Sequence, residues 1–220
     1  MVRKSVAVLG LGKYGLALAK SLYEMGADVL GADKDPDRVK DASGCTTAAV
    51  CADLSIEDEV LGLELGNMDI VVTAMGENLT SSIMCVVIAK EQEVPVIIAK
   101  CSSQRMASIL CKVGATKAII PEEEEGIRSA RILANDNLLD YFQIGSNLSM
   151  VEMRPKEQWI GKTLTELHLR KTHNLNVVAV KEEGGQWDLA DPDAPFSATD
   201  KLLIVLESDD LGRLNDRSYR

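Results

Sequence analysis

Val6-Ala7-Val8-Leu9-Gly10-Leu11-Gly12-Lys13-Tyr14-Gly15, followed by Leu30-Gly31-Ala32-Asp33, decides how this chain folds. An apolar β-branched run passes through a Gly-x-Gly-x-x-Gly turn into a segment of helical period, and an acid closes the next apolar run. Each glycine has its own physical reason. The first permits a tight turn, the second lets backbone N–H groups approach a phosphate, and the third lets the helix pack close to its strand. A helix N-terminus directed at that turn supplies positive field for an anion. Asp33 lies about 20 residues on, where a carboxylate accepts ribose hydroxyls. The spacing therefore predicts a nucleotide site; the alternative for the same residues is a tight packing turn.

Composition bounds the classes of function. The chain has 220 residues, enough for two small domains each with its own core. A formal net charge of -10 argues against a nucleic-acid partner, which calls for a basic face. No apolar stretch approaches the roughly 18 residues needed to cross a bilayer, and the chain begins almost at once with a strand instead of a signal sequence, so the expectation is a soluble, cytoplasmic protein. Cys45, Cys51, Cys85, Cys101 and Cys111 form no Cys-x-x-Cys pair and lie near no histidine at zinc-finger spacing. They are expected to be mostly buried, reduced thiols.

Further along, β-branched runs alternate with helical segments, the pattern of a parallel sheet covered on both faces. Strands are predicted near 5–9, 28–32, 47–51, 70–73, 96–99 and 118–120. Helices are predicted over 14–25, with Leu16, Ala19, Leu22 and Tyr23 as its stripe, and over 79–91, with Ile83, Val86 and Val87. Pro121 and the acids after it suit a helix start, predicting a connecting helix from about 121 to 139. Past Asn135-Asp136-Asn137 the pattern changes to short strands at 149–153, 177–181 and 202–206, a helical stretch at 164–170, and a hairpin turned by Gly184-Gly185 onto Trp187 and Leu189. The fold class is thus α/β: a Rossmann-like, doubly wound parallel sheet followed by a small mixed α+β domain.

Five segments together resemble the regulator of potassium conductance (RCK) family, the Ktr/Trk-type cytoplasmic subunits of potassium channels and transporters. They are Val8-Leu9-Gly10-Leu11-Gly12-Lys13-Tyr14-Gly15, Leu30 to Asp35, Val71 to Asn78, the run from Lys112 to Glu122, and Ile160-Gly161-Lys162-Thr163-Leu164. The resemblance covers nearly the whole chain and implies a nucleotide-binding domain over 1–137 with its crossover helix, and a C-terminal ligand domain over 138–220. It implies a non-enzymatic regulatory subunit that gates a membrane potassium channel or transporter through a ligand-dependent change of ring shape. It further implies a homodimer assembling into an octameric ring, held on the inner face of the membrane by its partner. The competing classes are an NAD-dependent oxidoreductase and a nucleotide-binding regulator with a non-membrane partner.

The family's site residues carry over position by position. Gly10, Leu11, Gly12, Tyr14 and Gly15 frame the phosphate turn. Lys13 stands where many members have an arginine, so a point charge replaces a planar fork and phosphate contact is expected without bidentate sensing. Asp33 matches the ribose acid; a free carboxylate there disfavours a 2′-phosphate, a bias that Lys34 weakens. Asp53, beside Leu54, matches a residue near the adenine, while the local alternative is a turn or cap before Ser55. Ala74, Met75, Gly76, Glu77 and Asn78 form a loop at the carboxyl edge, expected along the ribose. Lys100 matches a lysine facing the nucleotide, against simple solvent exposure. Glu122 matches a glutamate that helps hold Mg2+ or Ca2+ near the phosphates, against a solvated acidic helix start. Candidate ligands are ATP or ADP and NAD or NADH. Cyclic di-AMP is a candidate second ligand for the tail, where Lys171 to Asn174 and Val177 would line its groove. Trp159 and Trp187 read as core or dimer-interface residues.

Overall fold

A computed structural model describes residues 3–76 and 78–215. The chain divides into two compact units, Met1–Glu122 and Glu123–Arg220. Glu77 of the predicted ribose loop lies outside the described residues.

Unit 1 alternates strand and helix throughout: β1 (Ser5–Leu9), α1 (Lys13–Glu24), β2 (Asp28–Asp33), α2 (Pro36–Ser43), β3 (Ala48–Cys51), α3 (Glu57–Leu61), β4 (Ile70–Thr73), α4 (Leu79–Glu91), β5 (Val96–Lys100), α5 (Gln104–Val113) and β6 (Lys117–Ile119). The strands form one parallel sheet in the order β3-β2-β1-β4-β5-β6. The order reverses between β1 and β4, and that reversal opens a crevice at the carboxyl ends of these two strands. Period-two alternation explains the two cores. Val6, Val8, Val29 and Val72 pack with Ala19 under α1 and α2, whereas Ala7, Leu9, Val71 and Ile97 pack with Val86 and Leu110 on the opposite face. Burying each such aliphatic side chain contributes about 1.5–3 kcal/mol.

Helix α6 (Pro121–Leu133) begins where unit 1 ends. It stops six residues short of the predicted 139, because Asn135 turns the chain by accepting the Asn137 N–H at 3.1 Å, and residues 138–144 pair as a strand instead. That strand, β7 (Leu138–Ile144), is absent from the sequence reading. Unit 2 continues with β8 (Leu148–Met153), α7 (Leu164–Leu167), α8 (Leu169–His173), β9 (Asn176–Lys181), β10 (Trp187–Leu189) and β11 (Lys201–Glu207). Its antiparallel sheet runs β10-β9-β11-β8-β7 over a core of Tyr141, Val151, Met153, Trp159, Leu202 and Ile204. The Gly184-Gly185 hairpin pairs Trp187 with Lys181. Within unit 2, α6 places Ile132 against this core, and Arg128 donates to Asp140.

Two expectations are corrected. The stretch 164–170 is two short helices, because His168 adopts φ +49° and breaks the first. Only Cys85 and Cys101 are buried; Cys51 and Cys111 are exposed and Cys45 is intermediate, since β3 is an edge strand and Cys111 faces outward on α5. Trp159 is core at 2% exposure, one of the two readings given for the tryptophans, and Trp187 sits on the edge strand β10 at 38%. Of the residues expected to line a second ligand's groove, 171–173 lie in α8, Asn174 donates from Nδ2 to Asp210 Oδ2 at 2.9 Å, and Val177 packs against the core of unit 2.

Candidate functional site

The switch point of the parallel sheet holds a cavity of about 380 Å³. Its floor is the turn from β1 into α1. Gly10 has φ +99°, a conformation that a Cβ disfavours, and its N–H donates to the Ala32 carbonyl at 2.8 Å. A Cβ on Gly15 would overlap the Gly10 carbonyl oxygen, so the helix can approach its strand only with glycine there. Gly12 is different: the nearest atom to a Cβ on it is Arg38 Nη1, 4.0 Å away, so its open face belongs to the cavity. No side chain caps α1 at Gly12 and no acid stands in its first turn, which leaves the first N–H groups of the helix without a capping side chain.

Asp33 ends β2 and is 6% exposed. Its Oδ2 accepts the Leu11 N–H at 2.7 Å and its Oδ1 accepts the Asp35 N–H at 3.0 Å. These bonds fix the carboxylate beside the glycine turn. Lys34, next along the chain, and Arg38 from α2 also line the cavity. Beyond β3, Asp53 and Leu54 line the next stretch. Asp53 Oδ1 accepts Ser55 Oγ at 2.6 Å and Ser55 N–H at 3.0 Å, and these donors hold its carboxyl below the usual range. Asp53 thus makes the local turn and lines the cavity as well.

The opposite wall comes from β4 and β5. Ala74, Met75 and Gly76 follow β4, and Asn78 caps α4 by accepting the Ser81 N–H at 3.1 Å. Lys100, at the end of β5, is buried to 11% side-chain exposure, and its Nζ lies 2.6 Å from Glu122 Oε1. A Cβ on Gly76 would stand 2.7 Å from that Nζ, so glycine keeps the ammonium's path open. The Lys100 ammonium holds the Glu122 carboxyl below its ordinary range and stands 5.9 Å from the Tyr14 ring centroid.

The structure brings Gly10, Gly12, Lys13, Tyr14, Asp33, Lys34, Asp53, Leu54, Ala74, Met75, Gly76, Asn78, Lys100 and Glu122 to one cavity. Leu11 and Gly15 do not line it: Leu11 packs into the core at 2% exposure and Gly15 sits in the helix–strand contact. Two lining residues escaped the sequence reading, Arg38 and Ser81. Ser81 was signalled by the Asn78 cap three residues earlier; Arg38 belongs to no spacing rule.

Lys13, Lys34, Arg38 and Lys100 face three carboxylates, Asp33, Asp53 and Glu122, so a cationic cavity sits in an acidic chain. With an open glycine face and a ribose-type acid, this donor set fits an adenine nucleotide. It does not by itself fit a divalent cation. Among the described residues no group of three or more His, Cys, Asp or Glu could hold a metal, and Glu122 is already paired with an ammonium. No helix of the described residues is long and apolar enough to cross a membrane.

Comparison with known proteins agrees with both units. Residues 6–121 match the TrkA-N domain family and residues 148–217 the TrkA-C domain family. The Ktr system potassium uptake protein A of Vibrio alginolyticus is 35% identical over 208 residues, 94% of each chain. The Ktr system potassium uptake protein C of Bacillus subtilis (strain 168) is 32% identical over 98% of each chain. Among solved structures, the GsuK RCK domain has a TM-score of 0.67 at 15% identity, covering 97% of this chain and 47% of that one. A GsuK channel bound to NAD has a TM-score of 0.66 at 16% identity, covering 97% and 39%. This chain therefore spans less than half of those solved chains, and they speak to its fold. With a TrkA-N match over more than half of its length and relatives of matching length above 30% identity, the chain belongs to the RCK family, as a Ktr/Trk-type potassium-uptake subunit.

Proposed function

We propose that unit 1 binds an adenine nucleotide at its switch-point cavity, and that the protein is a non-enzymatic regulatory subunit whose ligand biases a membrane potassium-uptake partner between closed and conducting states. The observation that carries this reading is the placement of Asp33 beside the open face of Gly12, at the uncapped start of α1. That geometry supports a ribose and a phosphate held at neighbouring points. The names of the full-length relatives support potassium uptake as the setting.

Regulation follows from differential affinity. A nucleotide that binds two arrangements of an oligomer unequally shifts their populations by the free-energy difference, typically 1–3 kcal/mol per site. A homodimer assembling into an octameric ring on the inner face of the membrane would add these contributions over its sites. An oxidoreductase would need an acid or base at the hydride carbon. The cavity lining holds no histidine; His168 and His173 belong to unit 2, and Lys100, beside the Tyr14 ring, is engaged by Glu122.

The test is calorimetric titration of nucleotide-free protein with ATP, ADP, NAD and NADH, each with and without Mg2+ or Ca2+, repeated on Asp33→Ala with circular dichroism to confirm folding. Binding to the parent chain and its loss in the folded variant is the expected result. Enhancement of ATP binding by the cation would mean that phosphate oxygens complete a metal shell with Glu122. Cyclic di-AMP enters the same series as the candidate ligand of unit 2. Absence of all adenine-nucleotide binding, or NADH turnover on a substrate panel, would overturn the reading.

A further inference from the structure

Arg38 stands at the acid that marks the ribose end of the cavity. Its Nη1 lies 3.4 Å from Asp33 Oδ2 and its Nε 3.5 Å from Asp35 Oδ2, with the side chain about half exposed. The same Nη1 is 4.0 Å from where a Cβ on Gly12 would sit, so the guanidinium lies between the ribose acid and the open face of the phosphate turn. Lys34 lines the adjoining wall.

Asp33 is therefore not the free carboxylate that excludes a 2′-phosphate. Two backbone N–H groups already use one site on each of its oxygens, and Arg38 shares Oδ2. A carboxylate offers about four lone-pair sites, so a ribose presenting both hydroxyls must compete with the guanidinium for the remainder. A ribose carrying a 2′-phosphate brings an acceptor of its own. The planar guanidinium matches phosphate geometry, and an arginine near the ribose is the general means of accommodating that group.

We propose that Arg38, assisted by Lys34, makes this site accept adenine nucleotides phosphorylated on the ribose 2′-oxygen. The inference rests on the nucleotide reading above and adds a ligand class to it. Its test uses ADP-ribose and 2′-phospho-ADP-ribose, which share adenine and pyrophosphate and lack nicotinamide, titrated into the full chain and into Arg38→Gln. The parent should bind the two within about fivefold of each other. Arg38→Gln should weaken the 2′-phospho compound at least about tenfold while leaving ADP-ribose within about threefold, the size expected for one charge-assisted contact. Arg38→Lys should fall between the two, since a point charge replaces the fork. Rejection of the 2′-phospho compound by more than about thirtyfold, with ADP-ribose bound, overturns the proposal and leaves the nucleotide reading standing. Equal weakening of both ligands by Arg38→Gln also overturns it, reducing Arg38 to a support for Asp33. If neither compound binds the parent chain, the nucleotide reading falls and this proposal with it.

Discussion

The Lys100 ammonium and the Glu122 carboxylate meet at 2.6 Å, yet their surroundings are unequal: the lysine side chain is 11% exposed and the glutamate 68%. The exposed glutamate leaves the pair screened by water on one side, and a phosphate in its place keeps the buried ammonium paired, so Lys100 can exchange one for the other. Glu122→Gln is expected to tighten ATP about threefold to tenfold in divalent-free buffer, and Lys100→Gln to weaken ATP about tenfold while leaving adenosine unchanged. Calorimetry with both ligands checks this. An equal loss for adenosine in Lys100→Gln would show the lysine to be structural.

Two glycines of one motif should fail in different ways. Gly15→Ala drives a methyl group into the Gly10 carbonyl, so α1 must move off β1; we expect a loss of about 1–3 kcal/mol or more in denaturant unfolding. Gly12→Ala meets nothing closer than 4.0 Å and has φ -64°, so its stability should stay within about 1 kcal/mol of the parent. Its nucleotide affinity should fall at least about tenfold, because the methyl occupies the phosphate's approach. A stable Gly15→Ala with intact binding would contradict this division.

The sheet of unit 1 was legible because strands buried on both faces read as unbroken apolar runs, and the glycine turn had to lie between one of them and a helix. What escaped lacked that signature. β7 reads Leu-Leu-Asp-Tyr-Phe-Gln-Ile, and its Asp140 is polar because it accepts from Arg128 of α6. Helix α2 fills a gap between strands where a helix is expected, but it opens Pro-Asp-Arg and buries only Ala42, so nothing in its pattern marked which face met the cavity. Arg38 reaches Asp33 only because Asp35 caps that helix, accepting the Asp37 N–H at 3.0 Å, and turns its first face toward the cavity. Such a residue is found by geometry alone.

Thr73, the last residue of β4, carries a buried hydroxyl with no hydrogen-bond partner among the described residues. Thr73→Val keeps the shape and removes the unpaired group, so it should stabilise the chain by about 1 kcal/mol in denaturant unfolding. A destabilising result would reveal an ordered water or another acceptor at the hydroxyl.

Thiol chemistry should follow burial, not sequence position. Cys51 and Cys111 are exposed, while burial pushes the Cys85 thiol up to about 12 and raises that of Cys101. With a chromogenic disulfide reagent at pH 8, Cys51 and Cys111 should react first, Cys45 later, and Cys85 and Cys101 only after unfolding. Mass mapping of the adducts assigns each phase. Early labelling of Cys85 would contradict the packing of α4.

Acid should unfold the chain through carboxylates held by donors, and Asp69 gives the clearest case. Its Oδ2 accepts the Ser5 N–H at 2.8 Å and Ser5 Oγ at 3.1 Å, tying the start of β1 to the residue before β4. These bonds, the backbone one first, lower its pKa from the ordinary 3.8; Ser55 does the same for Asp53, and Lys100 for Glu122 from 4.5. A carboxyl whose folded-state pKa is depressed binds fewer protons folded than unfolded at intermediate pH, so its stabilisation is complete above the unfolded value and is lost as pH falls through the folded one. Melting temperature should therefore be flat in this contribution above about pH 5 and decline below about pH 4. Asp69→Asn keeps an acceptor without the charge, so the variant should melt below the parent at pH 7 and approach it near pH 3. A gap that stays constant between those two pH values would show that Asp69 acts through packing, not through its charge.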